Sequence, residues 1–364
     1  MLKKAAALLL VSASMSAWLG CGTTSSRFLY AAIPTSNTIV AYREDPNSGV
    51  LTQLSGSPIS AGSAIEALAM HPSGKFLYAA NSQSNNISLF KVSSVGGLTE
   101  VTPRTNAGTS PTLLAIDQAG KFLYAANSGS NDISAFSIGS DGSLTLVPQC
   151  LIPTNCNPTA LIGFTAMNIA LTPSGNFLYV TGEVQLAGTS TGVIEAFPVN
   201  QGVVELPVPN SPFLTGNLPL GLAIDSTGSH LYTANKLDNS ISPFTINSDG
   251  SLTAIGTAIG QTFIGPVSLL IDKSGKYFYV ANQGSSNIGA YGIGSDGSLT
   301  LLTGSPFTTG SQPNVLALDS SGKYFYVGYS SALQAYSLNT SSGSLTSITT
   351  YSVSATPTSI VITP

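Results

Sequence analysis

The sequence predicts an all-β fold, a seven-bladed β-propeller of four-stranded antiparallel blades, and three observations carry that prediction. First, a tyrosine recurs at Tyr30, Tyr78, Tyr124, Tyr179, Tyr232, Tyr279 and Tyr326, at intervals of 46 to 55 residues. A period of that size marks a repeat architecture, and four short strands fit within it. Second, each tyrosine sits in an apolar run bounded by Asn, Ser, Gly or Asp-Gly clusters. In Lys121–Thr145 the runs Phe122–Ala126 and Ile133–Ile138 are joined by such a turn, and a Ser-Asp-Gly turn leads into Leu144. Runs of this kind read as consecutive hairpin strands. Third, the chain opens on the second strand of the repeat at Phe28 and finishes on the first strand at Ile362. Each end alone leaves an exposed sheet edge, and pairing the two removes both.

We call the strands of one repeat a, b, c and d. In the repeat above they are Pro111–Asp117, Phe122–Ala126, Ile133–Ile138 and Leu144–Val147. The seven a-strands are expected at Ile65–Met70, Pro111–Ile116, Ala166–Leu171, Pro219–Ile224, Pro266–Ile271, Pro313–Leu318 and Pro357–Ile362. In four of them large residues (Leu68/Met70, Leu114/Ile116, Ile169/Leu171, Leu222/Ile224) alternate with Ala69, Ala115, Ala170 and Ala223. A large face against a small one suits blades packed face to face near a crowded axis. An aromatic opens most b-strands (Phe76, Phe122, Phe177, Tyr277, Tyr324) and is expected to fill space between blades. The closing sheet then combines strands b, c and d from the N-terminus with strand a from the C-terminus.

Composition narrows the function. Charged residues make up 8% of the 364-residue chain, against about 25% in an average soluble domain. The formal charge is −4, from 12 basic and 16 acidic residues. No basic stripe is present, and nucleic acid is not an expected partner.

Residues 1–21 read as a targeting segment and 22–26 as a short linker, leaving 27–364 for the propeller. Lys3 and Lys4 precede an apolar stretch, Ala5–Leu19, which exits through Leu19-Gly20-Cys21. This resembles a bacterial lipoprotein signal, although Trp18 stands where leucine is usual. The resemblance implies export, lipidation of Cys21 and a membrane-anchored protein of the cell envelope. The alternative is an ordinary cleaved leader with an unmodified thiol. Export favours a disulfide between Cys150 and Cys156, which share one loop. Closing so short a loop contributes about 2 kcal/mol and shapes the loop, not the fold. Neither histidine is near those cysteines in sequence, so no metal site is expected.

The FLYAANSGSNDISAFSIGSDGSLT pattern, with YVAN at Tyr279–Asn282, resembles the lactonase-type (6-phosphogluconolactonase-like) seven-bladed propellers and the neighbouring YVTN-repeat propellers. The resemblance spans Phe28 to Pro364. It implies lactone chemistry without a cofactor, carried in that family by His, Arg and Glu in a central pocket. No catalytic residue transfers to this chain by position, because no histidine here reaches that pocket.

In an antiparallel blade the b–c and d–a loops open at one rim, called here the top, and the a–b and c–d turns at the other. The extra length of the chain, Pro148–Thr165, Gly182–Gly192 and Leu206–Leu218, falls on the top rim, where binding is usually placed. His71, His230 and most cations fall at the bottom, leaving Arg104 and Lys236 on top with Glu66, Asp132, Glu183 and Asp238. A phosphorylated lactone needs a cationic pocket, and this rim is mildly acidic. Glu66, near the top of an innermost strand, is the candidate general base. Its counterparts are Thr112, Met167, Leu220, Val267, Asn314 and Thr358. Asn168, Asn314, Thr112, Thr358 and Arg104 are the candidate ligand contacts. The amides that end strand b (Asn81, Asn127, Asn235, Asn282) read as Asx turns.

Two motif matches are rejected. Gly188–Gly192 fits GxSxG but is expected to be a flexible loop with no histidine. Gly292–Gly297 fits GxGxxG but lies in a hairpin with no helix after it. Two readings of function remain. The one the sequence favours is a lipid-anchored scaffold that binds a small molecule, glycan or protein on its top rim. The other, implied by the resemblance and supported by Glu66, is hydrolysis of a small uncharged lactone.

Overall fold

The structure is a computed structural model and describes residues 26–152, 155–157, 159–186, 188–260 and 263–364. The targeting segment, Cys21 and linker residues 22–25 lie outside the described residues. Within them the chain forms seven antiparallel blades, each running a-b-c-d from the axis outward. Blade 1 is closed by the two ends of the chain. Arg27–Ile33 pairs on one side with Thr38–Glu44 and on the other with Ser359–Ile362, in the register Leu29↔Ile362, Tyr30↔Val361, Ala31↔Ile360 and Ala32↔Ser359. The inner strands follow one another round the axis and return to the first.

Four inner strands run as the sequence predicts: Ile65–Met70, Pro111–Ile116, Pro219–Ile224 and Pro266–Ile271. The other three start two residues later, at Asn168, Val315 and Ser359. Before each, a single backbone bond continues the pairing, from Met167, Asn314 or Thr358 to strand b. The outer edge is interrupted in five blades, where strand d is two short pieces pairing with opposite ends of strand c. In three of these the gap holds a Ser-Pro whose serine Oγ accepts a strand-c N–H: Ala41 to Ser57, Ala196 to Ser211 and Ala290 to Ser305. Broken outer strands offer little edge to a second chain.

The apolar core is divided. Seven hydrophobic clusters each join two neighbouring blades, such as Tyr30 and Ala32 of blade 1 with Leu68 and Leu77 of blade 2. The repeated tyrosine is fully buried in every blade. In six of them its hydroxyl donates to the carbonyl of a glycine in the next blade's c–d hairpin: Tyr30 to Gly96, Tyr78 to Gly142, Tyr179 to Gly250, Tyr232 to Gly297, Tyr279 to Gly343 and Tyr326 to Gly49, at 2.8 or 2.9 Å. At the junction of blades 3 and 4, Gln149 serves the equivalent glycine instead. Its Oε1 accepts Val204 N at 2.7 Å and its Nε2 approaches Gly202 O at 3.5 Å.

The ring that opens strand b lies over the same glycine. A Cβ built on Gly49, Gly96, Gly142, Gly202, Gly250, Gly297 or Gly343 would fall 2.2–2.5 Å from Tyr324, Phe28, Phe76, Phe122, Phe177, His230 or Tyr277 respectively. Each of these glycines also has φ between +68° and +85°, where a side chain is strained in any case. The hairpin glycine is thus required both by the turn and by the neighbouring blade.

A second set of links crosses the top rim, from the b–c turn of one blade to the residue before strand a of the next. Asn37 Oδ1 accepts Ala64 N, Asn85 Oδ1 accepts Ser110 N and Asn239 Oδ1 accepts Gly265 N, at 2.7–2.8 Å. In blade 4 the acceptor is Glu183, which takes Leu218 N at 2.8 Å. These asparagines adopt φ of 52–55°, a conformation asparagine tolerates better than most residues. The interfaces of blades 1 with 2, 2 with 3, 4 with 5 and 5 with 6 are therefore tied at both rims.

Candidate active site

The top of the inner ring is built by a recurrent irregularity. In blades 2, 3, 5 and 6, strand a slips register by one residue beside the end of strand b, for example between Ile65↔Asn81 and Ala67↔Ala80. The extra residue is Glu66, Thr112, Leu220 or Val267. A β-bulge of this kind leaves one residue out of the ladder and re-aims its side chain. With Met167, Asn314 and Thr358 of the other blades, these residues make one layer round the axis, as their equivalent positions in the repeat predict.

That layer has two halves. Blades 4 to 6 contribute Met167, Leu220 and Val267, an apolar arc. Blades 7, 1, 2 and 3 contribute Asn314, Thr358, Glu66 and Thr112, a polar arc. Asn314 Nδ2 donates to Pro357 O at 3.1 Å, and Thr358 Oγ1 reaches Ile65 O at 3.4 Å. Each reaches sideways to the next inner strand. Glu66 and Thr112 have no side-chain hydrogen bond among the described residues. Glu66 is half-buried, and that burial alone raises its pKa above that of an ordinary glutamate.

The remaining candidates are placed as follows. Asn168 lies one residue past the layer; its Nδ2 donates to Leu220 O at 2.7 Å and its Oδ1 accepts Ile169 N at 2.9 Å. Arg104 is on the outermost strand of blade 2, Leu98–Asn106, held by Glu100 through Nε–Oε1 at 2.7 Å and Nη2–Oε2 at 3.2 Å. It is therefore at the periphery, far round the blade from the inner ring. The backbone places Cys150 opposite Cys156 in a small hairpin, Gln149–Ile152 with Asn155–Asn157. Their side chains lie outside what the structure describes.

Two expectations are corrected. Strands b and c of blade 4 extend through Gly182–Gly192, paired out to Leu186↔Thr189, so Thr189–Gly192 of GxSxG lie on a paired strand and Gly188 in the turn before it, not in a flexible loop. The strand signal of that stretch is its β-branched residues, Thr189, Thr191, Val193 and Ile194. The amides ending strand b do not form Asx turns; Asn81, Asn127 and Asn235 donate through Nδ2 to side chains on strand c, among them Ser88, Ser134 and Ser242. Blade 4 departs from this pattern, with Gly182 and Glu195 at the two positions. Glu195 Oε2 is buried without a partner, and burial pushes the carboxyl up to about 7.

Cations are scarce at the top. Lys236 Nζ donates to Gln283 Oε1 at 2.7 Å. Both histidines are at the bottom rim: His230 Nδ1 lies 2.8 Å from Asp225 Oδ2, and His71 Nε2 lies 2.9 Å from Gly120 O. Among the described residues no group of three or more His, Cys, Asp or Glu has metal-binding geometry.

Several solved structures share this architecture. A candidate 6-phosphogluconolactonase from Bacteroides fragilis is 22% identical with a TM-score of 0.75, covering 94% of this chain and 99% of its own. A second, from Bacteroides uniformis, is 20% identical at 0.74, covering 93% and 99%. The periplasmic gluconolactonase of Pseudomonas aeruginosa is 16% identical at 0.73, with the same coverage. At such identities the likeness speaks for the fold. No curated protein matches the chain. The family described as lactonase, 7-bladed beta-propeller matches residues 58–156 and 257–362, more than half of the sequence. The chain belongs to the lactonase family of seven-bladed β-propellers.

Proposed function

We propose that the protein is a hydrolase that opens a small, uncharged lactone at the top of the central axis, with Glu66 as general base. The observation that carries this reading is Glu66 itself. It is the one ionisable side chain in the inner top layer, half-buried and without a hydrogen-bond partner among the described residues. A carboxylate whose pKa is raised by burial is a stronger base than one in water. It takes a proton from water as the oxygen attacks the lactone carbonyl carbon. The ring C–O bond then breaks, and the proton passes to the departing oxygen to give a hydroxy acid. Thr112 and Thr358 flank Glu66 and offer hydroxyls to the polar edge of the substrate. Met167, Leu220 and Val267 face its apolar edge. The layer holds no cation, which favours a neutral ring over a phosphorylated one, and the likeness to a gluconolactonase favours a sugar lactone.

Proton release from δ-gluconolactone and from unsubstituted lactones tests the reading. Turnover above the buffer rate is expected, with kcat falling about 10²- to 10⁴-fold in Glu66→Gln. The rate should rise with pH as Glu66 loses its proton, with a midpoint above the ordinary glutamate range. A whole panel hydrolysed no faster than in buffer would sink it and leave the scaffold role. That second reading is favoured by the long hairpin of blade 4, Phe177–Leu186 with Thr189–Asn200, which extends the top rim.

The same proposal places the protein at the cell envelope, exported by residues 1–21 and held through a lipid on Cys21. Strand b of blade 1 starts at the bottom rim, so this tether turns the Glu66 layer away from the bilayer. Cys21→Ser is expected to move the protein from the membrane to the soluble fraction; its retention in the membrane overturns the anchor.

A further inference from the structure

The blade that closes the ring carries a charge cluster found at no other junction among the described residues. Arg27, first residue of strand b, directs Nη1 at two carboxylates, Glu44 Oε1 and Asp319 Oδ2, each at 2.5 Å. Glu44 ends strand c of blade 1, and Asp319 opens the a–b turn of blade 7. Their side chains are completely buried, and that of Arg27 nearly so. Asp319 has other donors: Ser321 N and Oγ, Lys323 N and Tyr324 N. Glu44 takes Arg27 on Oε1, with the Tyr326 phenol close to the carboxyl, and its Oε2 is buried without a hydrogen-bond partner. At the equivalent end of strand c the other six blades place Val92, Ile138, Val199, Ile246, Ile293 and Leu338. Six apolar residues and one glutamate at the same point of the repeat set the closing junction apart.

One guanidinium neutralises one of two carboxylates, so the cluster is neutral only while a proton is held there. The other titratable groups facing it are the phenols of Tyr324 and Tyr326 on blade 7, Tyr351 on the outer strand of that blade, and Asp45 in the turn after Glu44, with Arg43 beside it. Burial and the neighbouring carboxylates keep Tyr326 protonated. Among the described residues no second cation enters the buried cluster.

We propose that this cluster makes ring closure a proton-dependent latch, in which the seam between the N-terminal and C-terminal strands opens more readily as pH rises towards neutrality. Desolvation, reinforced by Asp319 and opposed by Arg27 and the Tyr326 phenol, pushes the Glu44 carboxyl up to about 7 in the closed ring. With the strands parted it returns to the ordinary value near 4.5. Between those values the closed form binds more protons than the open form, so raising the pH favours opening. The consequence is local, because amides report openings smaller than global unfolding.

Hydrogen exchange on the intact protein tests this. Protection of amides in Arg27–Ile33 and Ser359–Ile362, corrected for intrinsic rates, is compared with that in His230–Asn235 and Tyr277–Asn282. Between pH 5 and pH 8 the seam is expected to lose about tenfold in protection relative to those strands. Glu44→Val, which installs the residue type of the other blades, and Glu44→Gln are each expected to abolish that difference. Equal pH dependence at seam and control strands in the unsubstituted protein overturns the proposal, and that arm needs no variant to fold. A seam-specific loss that persists unchanged in a folded Glu44 variant also overturns it.

Discussion

The closing blade and the six continuous blades solve one problem with and without a peptide bond. In a continuous blade the chain passes from strand a to strand b through a five-residue turn, and its first residue caps the start of strand b. Asp272 Oδ1 accepts Lys276 N and Tyr277 N, and Thr172 Oγ1 accepts Phe177 N at 3.2 Å. In the closing blade no such turn exists. Thr363, from the other end of the chain, takes the same place: its Oγ1 accepts Phe28 N at 3.0 Å and its N–H donates to Phe28 O. The tyrosine ties also continue across the seam unchanged, through Tyr326 to Gly49 and Tyr30 to Gly96. What the seam adds is the Arg27 cluster. The comparison teaches that a repeat can omit a covalent connection when its hydrogen bonds are rebuilt from elsewhere in the chain.

The largest expected effect comes from removing that reconstruction. Deleting residues 357–364 takes the inner strand from blade 1 and exposes the edge of Arg27–Ile33. Loss of the folded monomer is expected, seen as an aggregate or an unfolded species by size-exclusion chromatography and circular dichroism. A folded, monomeric truncation would mean that the closing strand is dispensable.

A smaller loss is expected at the interface glycines. Gly250→Ala forces a side chain at φ +82° and against Phe177 at 2.3 Å. Gly56→Ala has a similar φ of +85° with nothing within 4 Å. Backbone strain costs both about 1–2 kcal/mol, and overpacking adds about 1–3 kcal/mol to the first only. Urea unfolding of the pair isolates the contribution of the neighbouring ring, and equal losses would remove it.

The smallest effect compares the two threonine caps. Thr363→Val and Thr172→Val each delete one side-chain acceptor for a strand-b N–H, at a cost of about 1 kcal/mol. The seam variant should lose more, since no chain connection holds Phe28 in place. Equal losses in thermal or urea unfolding would show that the seam behaves as an ordinary turn.

Much of this was legible in the sequence. The spacing of the tyrosines gave the number of blades, and the strand on which each end falls gave the closure, because period-2 runs between turns record strands directly. Glu66 stood out at its place in the repeat because its six counterparts are uncharged. Other features were invisible for definable reasons. Glu44 and Asp319 are 275 positions apart in the chain, and their sharing of Arg27 exists only once the ring is closed. The role of the tyrosine hydroxyl lay in the next blade, and so did that of the hairpin glycine.

By itself, then, the sequence determined the architecture, because local periodicity and turn chemistry act within one repeat. Which polar groups are spent as ties and which remain for chemistry was decided only by the tertiary structure. Asn168, Arg104 and Glu183 have the composition of a site, yet each is engaged by a partner that folding brings to it, whereas Glu66 is half-buried with none among the described residues. The physical reason is that a hydrogen bond depends on distance in space, and in a ring of repeats the nearest groups belong to neighbouring units of the chain.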